Sequence, residues 1–342
     1  MIASSTRARG ERETGLPRAV VHRESCLALY RYERSDRAIP APPVVLVYSF
    51  INRPTVLDLL PDRSVVRSLL EAGHDVFLVD WGNPGAAESE LDLAAHTARL
   101  ERAIRAAARI AGEKRVSLLG YCLGGTMALV LASVAPALVA RIALLATPVV
   151  FGKGGTLALW AQTPTLDPGK LALTPSGNVP GEMLREMFRW LDPVGQGKKW
   201  LTLAEHADDP RFVEGFLASE RWANGCVDFP GRLFEELLVG LYREDRLAKG
   251  ELVVGKRVVA LDKIARPILN LVAEGDRIVP EDASLPLADL ARKSNVETLR
   301  VPGGHIGMTI GRRALATTHA ALARFFTGAR RAEPRASKET VA

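Results

Sequence analysis

The sequence predicts a doubly wound, mostly parallel α/β sheet that is interrupted by one long inserted segment. Up to about residue 150, short apolar runs of strand length alternate with helical patterns, as in sheets whose helices cross over between parallel strands. The alternation stops near Phe151 and resumes near Asp262. We therefore expect a core formed by residues 18–150 and 262–327, with an inserted cap at residues 151–261.

The first part of the core contains the clearest elements. Predicted strands are apolar or alternate in polarity, and they cover residues 19–21, 26–32, 44–48, 76–79, 116–119 and 141–147. Asp62 is expected to cap a helix that Gly73 ends. From Leu93 to Ala111, apolar or small residues recur every three or four positions, which predicts an amphipathic helix.

The segment 151–261 lacks this alternation. Gly and Pro interrupt short helical patches at residues 182–191 and 233–246, and four of the five Trp residues lie in this segment. A stretch of this length is too long to be a loop in a compact domain, so a cap is expected. The sheet pattern then resumes at residues 267–276, ending in Asp276, and again at 296–301, and a helix at 314–326 closes the core. The polar, Arg-rich ends, 1–17 and 328–342, are expected to be disordered and flexible tails.

Composition excludes several classes of protein. Hydrophobic residues make up 47% of the chain and charged residues 25%, which is ordinary for a globular protein. The net charge of +6 resides in residues 1–37 and 324–342, and because no nucleic-acid motif accompanies this basicity, no nucleic-acid partner is expected. Cys26, Cys122 and Cys226 lack disulfide or metal-site spacing and favour a reducing compartment. No apolar secretory signal is visible at the N-terminus, so a cytoplasmic location is expected.

The stretch Gly120-Tyr-Cys-Leu-Gly-Gly-Thr126 predicts a nucleophile elbow with Cys122 as the nucleophile. A tight turn over 120–125 would join a buried strand to a helix from Thr126 onward, with Cys122 projecting toward solvent. Gly120 and Gly124 would leave room for this strained turn. The amides at the start of the helix would favour a thiolate and a neighbouring oxyanion.

Two other interpretations of the same stretch are less favoured. Residues 116–140 carry no charge and are numerous enough to span a bilayer as a helix, but three glycines within six residues and Pro136 favour a strand and a turn. A phosphate-binding loop would need a Lys after the glycines, and none is present.

Asp276 and His305 each follow a predicted strand, as Cys122 does. Groups at the carboxyl ends of parallel strands lie at one edge of the sheet, and the order nucleophile, acid, base is that of α/β-hydrolases. Asp80 also ends a strand and is the alternative acid. The other histidines lie in early strands, turns, helices or the cap, namely His22, His74, His96, His206 and His319.

The residue types suggest roles in acyl transfer. His305 would take the proton of Cys122, and the amides of Leu123 and of Ile51, in the loop 50–52, would hold the oxyanion. Asp276 would either orient His305 or help it to deprotonate an incoming hydroxyl. Because a Cys that attacks a thioester gives another thioester of similar energy, a cysteine elbow favours acyl transfer from thioesters.

Further stretches extend the pattern beyond the elbow. They are Ile51-Asn-Arg-Pro, Leu57-Asp-Leu, Pro61-Asp-Arg-Ser, Val79-Asp-Trp-Gly, Gly275-Asp, Ile278-Val-Pro and Val301-Pro-Gly-Gly-His-Ile-Gly. With them, residues 40–326 resemble a polyhydroxyalkanoate synthase, and the cap is the least similar part. The resemblance implies an α/β-hydrolase fold, Cys122 as the acylated nucleophile, His305 as the base and Asp276 as the carboxylate that acts on a 3-hydroxyl.

The resemblance also implies a reaction and partners. The reaction is the polymerisation of (R)-3-hydroxyacyl-CoA into polyhydroxyalkanoate with release of CoA; the thioester is a substrate, and no cofactor or metal is expected. The short chain is similar to class III and IV synthases, whose catalytic subunit works with a separate non-catalytic subunit. A homodimer, contact with the growing polymer and a place at the granule surface are expected, without a transmembrane segment.

Three alternatives remain open at the level of the sequence. Dienelactone hydrolase has an almost identical elbow, but it lacks the large insertion and the Asp-Trp-Gly and Pro-Gly-Gly-His-Ile-Gly stretches, so the synthase is favoured over a cysteine-dependent hydrolase or a divergent synthase homologue. A granule-bound or scaffolding pseudoenzyme is disfavoured by the intact Cys122, Asp276 and His305.

Overall fold

The computed structural model describes residues 15–33 and 41–328, so the two predicted tails fall almost entirely outside the described residues. The strands are β1 Arg18–Glu24, β2 Leu27–Tyr32, β3 Val44–Val47, β4 Val76–Asp80, β5 Val116–Tyr121, β6 Val139–Leu145, β7 Val253–Val254, β8 Arg257–Val258, β9 Ile268–Ala273 and β10 Val296–Val301. Eight of them form one sheet in the order β1-β2-β4-β3-β5-β6-β9-β10, while β7 and β8 form a separate hairpin.

The central sheet is parallel from β4 to β10. Only β1 and β2 run antiparallel, β1 against β2 and β2 against β4. Strands β3 and β5 consist of apolar or small residues that are buried on both faces, as expected for central parallel strands covered by helices. The predicted doubly wound sheet is therefore confirmed.

The α-helices occur between the strands and in the insertion. They are α1 Val65–Glu71, α2 Ala86–Ser89, α3 Leu93–Ile110, α4 Leu123–Val134, α5 Gly155–Ala161, α6 Gly181–Trp190, α7 Pro193–Glu205, α8 Pro210–Ala223, α9 Gly231–Glu236, α10 Arg246–Lys249, α11 Glu281–Ser284, α12 Leu287–Leu290, α13 Gly307–Ile310 and α14 Ala320–Thr327. Wider π-helical turns, Leu237–Arg243 and Leu315–His319, follow α9 and precede α14. Shorter 3₁₀ turns are Pro54–Asp58, Pro136–Leu138, Phe151–Lys153, Pro168–Leu171 and Leu261–Lys263.

Two local predictions are wrong. Helix α1 is capped by Ser64, whose side chain accepts a hydrogen bond from the Arg67 amide, and not by Asp62. Ser64 is the cap because it directly precedes the first helical residue, which places its hydroxyl within reach of the amides of the first turn. Cys26 lies in the turn between β1 and β2 instead of in a strand, next to Ser25 with a φ of 53°.

The segment between β6 and β9 contains α5 to α10 and the β7–β8 hairpin. Its apolar residues, such as Phe229 and Leu233, are buried in the same apolar cluster as the sheet. The division of the chain into core and cap at residues 151 and 261 stays a prediction. Across residues 15–33 and 41–328, every helix is too short or too polar to cross a membrane.

Candidate active site

Cys122 is the single residue between β5 and α4. Its backbone is in an unusual conformation for a residue with a side chain, with φ 54° and ψ −128°. Its amide donates to the Leu145 carbonyl of the neighbouring strand, and its carbonyl accepts from the Gly125 amide. The predicted turn over 120–125 is thus too long, because β5 runs through Tyr121 and the helix begins at once after Cys122.

Three glycines make this turn sterically possible. A Cβ on Gly120 would lie 2.3 Å from the Cα of Gly125, and a Cβ on Gly124 would lie 2.1 Å from the Val47 carbonyl oxygen. The predicted need for glycine at both positions is confirmed. The sequence analysis missed Gly125, where a Cβ would lie 1.9 Å from Oγ1 of Thr147.

The thiol of Cys122 does not project into solvent, so this expectation is wrong. The residue is 6% exposed and lines a cavity of about 290 Å³ together with His305. Phe188 and Trp222 of the inserted segment line the same cavity. The insertion therefore covers the elbow, which no local pattern around Cys122 could reveal.

His305 and Asp276 lie beyond the ends of β10 and β9, and they contact each other directly. Nδ1 of His305 is 2.6 Å from Oδ2 of Asp276. The other carboxylate oxygen accepts the amides of Ile278 and Val279, each at 2.8 Å. The Asp276 side chain has no exposed surface, so water does not compete with these partners, and they hold both carboxylate oxygens in place.

The protonation of His305 reflects this environment. Burial by itself lowers the pKa of the ring, but the nearby carboxylate of Asp276 and the sulfur of Cys122, through charge and hydrogen bonds, raise the pKa to about 10. The imidazolium form is therefore stabilised between two groups that carry or develop negative charge. This is the arrangement in which a cysteine works as a thiolate.

Tyr121 supports His305 from the nucleophile strand, and the sequence analysis missed it. Its hydroxyl donates to the His305 carbonyl at 2.8 Å, and the two rings stack with centroids 5.1 Å apart. Burial raises the pKa of Tyr121 well above its usual value, which keeps the hydroxyl as a neutral donor. Its place next to the nucleophile was a visible signal, but the contact with residue 305 spans 184 positions.

The two predicted oxyanion amides lie on opposite sides of Cys122 in the chain. Leu123 is the first residue of α4, where amides have no partner within the helix. The Ile51 amide lies 3.4 Å from Oγ of Ser49, a long contact, and the Ile51 carbonyl accepts from Val227 of the insertion. The oxyanion role of Leu123 and Ile51 stays a prediction.

The cavity that contains Cys122 has a basic border. Arg185, Arg189 and Lys199 line it, and their charges are partly balanced by acids such as Glu186 and Glu220. This combination of a buried sulfur and a basic border suits an anionic substrate that carries a reactive acyl group.

Of the remaining candidate residues that the structure describes, only Cys226 shares the cavity of Cys122. Asp80 accepts the Gly82 amide at the end of β4, and Cys26 donates to the Trp81 carbonyl, so neither is placed with Cys122. His96 packs edge-on against the stacked rings of Phe50 and Trp81, and burial lowers its pKa to about 4. Cys226 does line the cavity of Cys122, and burial raises the pKa of its thiol.

Metal ligation is not apparent in the described part of the chain. Within residues 15–33 and 41–328, no three His, Cys, Asp or Glu side chains are grouped so that they could hold a metal ion.

Solved structures similar to this chain show its fold. A hydrolase from Pseudomonas aeruginosa PA01 superposes with a TM-score of 0.57 at 16% identity, over 91% of this chain and 98% of the other. A thermophilic esterase from Thermogutta terrifontis gives a TM-score of 0.53 at 15% identity, over 91% and 98% of the two chains. Residues 42–309 also match the alpha/beta hydrolase fold family, so the predicted α/β-hydrolase fold is confirmed.

Curated relatives identify the family within this fold. The poly(3-hydroxyalkanoate) polymerase subunit PhaC of Haloferax mediterranei is 36% identical over 87% of this chain, and that of Haloarcula marismortui 34% identical over 90%. The chain spans 61% and 66% of these two proteins. The PhaC subunit of Allochromatium vinosum is 35% identical, over 88% of this chain and 86% of that protein. The chain therefore belongs to the poly(3-hydroxyalkanoate) polymerase subunit PhaC family, as its sequence motifs predict.

Proposed function

We propose that this protein polymerises (R)-3-hydroxyacyl-CoA into polyhydroxyalkanoate and releases CoA, with the growing acyl chain carried as a thioester on Cys122. The observation that carries the proposal is a strained elbow cysteine that shares a buried cavity with a histidine, which in turn is held by a buried carboxylate. Membership of the PhaC family supports the same activity.

Acylation uses the pair of Cys122 and His305. The thiol proton passes to His305, and the thiolate attacks the thioester carbonyl of the substrate. A new C–S bond to Cys122 forms and the C–S bond to CoA breaks, while His305 returns the proton to the departing CoA sulfur. The amides of Leu123 and Ile51 are the proposed donors to the oxyanion, since Leu123 begins a helix of 12 residues whose amino end favours negative charge.

In elongation the same histidine accepts a proton from a hydroxyl group instead of from the thiol. His305 takes the proton of the 3-hydroxyl of an incoming 3-hydroxyacyl-CoA, and the oxygen attacks the thioester on Cys122. An ester bond forms and the C–S bond to Cys122 breaks, so the elongated chain becomes a CoA thioester. This thioester acylates Cys122 in the next round, and CoA is released in that step. Both oxygens of Asp276 are engaged, one by His305 and one by backbone amides, which supports a role exerted through His305 and not by direct contact with the hydroxyl.

The basic border of the catalytic cavity is the proposed binding region for the phosphates of CoA. Arg185, Arg189 and Lys199 lie where an anionic carrier would enter while its acyl group reaches Cys122. Phosphates pair well with guanidinium groups in a bidentate manner, so they can compete with the acidic partners of these side chains.

We also propose that the protein is a homodimer that works at the granule surface in contact with growing polymer, together with a separate non-catalytic subunit. Large apolar side chains that are strongly exposed on α6 and α7 support an apolar partner for this face. They are Trp190, Val194, Trp200 and Leu201.

The decisive experiment supplies (R)-3-hydroxybutyryl-CoA and (R)-3-hydroxyoctanoyl-CoA, with and without candidate partner subunits, and follows CoA release and insoluble polymer. Release of CoA with polymer is expected from the unmodified protein, and a covalent acyl adduct is expected on Cys122. CoA release without polymer would favour the cysteine-dependent hydrolase of the dienelactone hydrolase type instead. So would ring opening in a parallel assay in which a lactone is supplied.

A further inference from the structure

A second cavity lies beside the catalytic one. Its volume is about 610 Å³, and its walls come from α5, α6, α9 and the π-helical turn that follows α9. The lining is dominated by apolar side chains, among them Trp160, Leu184, Met187, Phe234 and Leu238. Nothing in the proposed acylation and elongation steps uses this space.

The apolar cavity adjoins the proposed oxyanion site. Leu123 and Ile51, whose amides are the proposed oxyanion donors, both line it. Ile51 and Phe188 line the apolar cavity and also the cavity of Cys122, so their side chains form the wall between the two. In the proposed arrangement, the alkyl group of an acyl chain on Cys122 would pass these two side chains to enter the apolar space.

The size of the cavity exceeds the needs of a short acyl group. A water-sized group occupies about 30 Å³, so 610 Å³ has room for about 20 such groups, whereas 3-hydroxybutyryl adds only a methyl at C3. An extended alkyl chain would fit in this space and bury its apolar surface there. Since each buried methylene contributes about fourfold in affinity, four extra methylenes would favour the longer chain on the order of a hundredfold.

The polarity of the lining favours an alkyl chain over a polyester chain. Ester carbonyls need hydrogen-bond donors when they leave water. The Thr163 hydroxyl, one of the few polar groups of the lining, already donates to the Leu159 carbonyl. Glu186 is another polar residue of the lining, and its carboxylate pairs with Arg185 and Arg189. An alkyl chain needs no such donors.

We propose that the apolar cavity behind Ile51 and Phe188 holds the alkyl side chain at C3 of the acyl group on Cys122, and that the protein prefers medium-chain 3-hydroxyacyl-CoA. This inference rests on the proposed polymerase function and specifies its substrate class. Met187 and Leu157, on opposite walls, are then residues that determine chain length.

The test fills the cavity from two sides. Met187→Trp narrows it from α6 and Leu157→Trp from α5, and neither residue lines the cavity of Cys122. The matched control is Leu159→Trp, two positions further along α5, where the side chain is 71% exposed and outside the lining. The measurement is kcat/KM for CoA release from 3-hydroxybutyryl-CoA and 3-hydroxyoctanoyl-CoA, with circular dichroism and thermal unfolding as checks of folding.

The unmodified protein should prefer the C8 substrate by at least about tenfold. Each filling variant that folds should lower the ratio of C8 to C4 activity at least tenfold, with C4 activity within about threefold of the parent, and Leu159→Trp should change neither. Equal losses on both substrates, or a parent protein that uses C4 alone, would overturn the inference and leave the polymerase function standing. Absence of CoA release from both substrates would overturn the polymerase function and this inference with it.

Discussion

Nδ1 of His305 lies 2.6 Å from a carboxylate oxygen of Asp276, and that carboxylate has no exposed surface. The contact directs the other ring nitrogen of His305 toward the catalytic cavity, where Cys122 and any hydroxyl substrate would meet it. In the proposed mechanism a single imidazole serves both half-reactions, and the buried carboxylate sets how strongly it attracts a proton.

Removal of the nucleophile should abolish the reaction. Cys122→Ala is expected to lower kcat for CoA release by about 10⁴-fold or more and to eliminate the acyl adduct in mass spectra, because Cys122 is the proposed carrier of the chain. Cys122→Ser should retain at most a trace. Cys26→Ser is the matched control, since Cys26 lies outside the cavity and a hydroxyl can still donate to the Trp81 carbonyl. An acyl adduct at another cysteine in Cys122→Ala would contradict the assignment.

Replacement of Asp276 should separate acylation from elongation. A thiolate can form beside His305 without the carboxylate, whereas removal of a proton from a hydroxyl needs a more basic ring. Asp276→Ala is therefore expected to slow acylation about tenfold and chain growth by about 10³-fold or more. Single-turnover acylation and polymer yield would be measured on the same preparation. If acylation and chain growth were slowed equally, the result would contradict a role of Asp276 in the deprotonation of the 3-hydroxyl.

The raised pKa of His305 predicts a pH-dependent stability. The folded state holds its proton up to about pH 10, whereas an unfolded histidine releases it near pH 6.5. The stabilisation is complete below pH 6.5 and is lost as the pH rises toward 10, at up to about 1.4 kcal/mol per pH unit. Urea unfolding at pH 6, 8 and 10 should show this decline, and Asp276→Asn should flatten it. A parallel decline in both proteins would assign the effect to other groups.

Glycine at position 124 should be essential for folding of the elbow. Gly124→Ala places a Cβ 2.1 Å from the Val47 carbonyl oxygen, which forces β3 and α4 apart, and we expect a loss of about 2 kcal/mol or more in unfolding free energy. Gly197→Ala is the control. That glycine is exposed within α7 and a Cβ there meets nothing within 4 Å, so alanine should stabilise by about 0.5–1 kcal/mol. Similar values for the two variants would contradict the steric argument.

Tyr121 should hold His305 in its position. Tyr121→Phe keeps the stacked ring but removes the hydrogen bond to the His305 carbonyl, and kcat is expected to fall about tenfold with little change in KM. The pH profile of kcat should also shift, because a displaced ring contacts Asp276 less closely. An unchanged profile with reduced thermal stability would indicate a purely structural role.

Much of the core could be predicted because its signals are local. Strands such as β3 and β5 are short apolar runs, and the glycines at 120 and 124 mark the elbow directly. The position of Ser64 as the cap of α1 was missed because Asp62 is an equally good cap by type.

The features that escaped prediction arise from contacts distant in the chain. The burial of Cys122 depends on Phe188 and Trp222, and the support of His305 depends on a hydroxyl 184 positions away. Apolar periodicity describes a segment's own faces and not the partner that covers them. The two cavities, which lie between inserted helices and core loops, were invisible for the same reason.

The loop that carries Ile51 is fastened to the insertion by three hydrogen bonds. Asn52 donates to the Trp222 carbonyl, the Trp222 indole donates to the Arg53 carbonyl, and the Val227 amide donates to the Ile51 carbonyl. A swing of this part of the insertion away from the sheet would break these bonds or drag the loop with it. If the Ile51 amide holds the oxyanion as proposed, an opening of the insertion for substrate would disturb that amide, so that the proposed site would be complete only with the insertion closed and the thioester shielded from water.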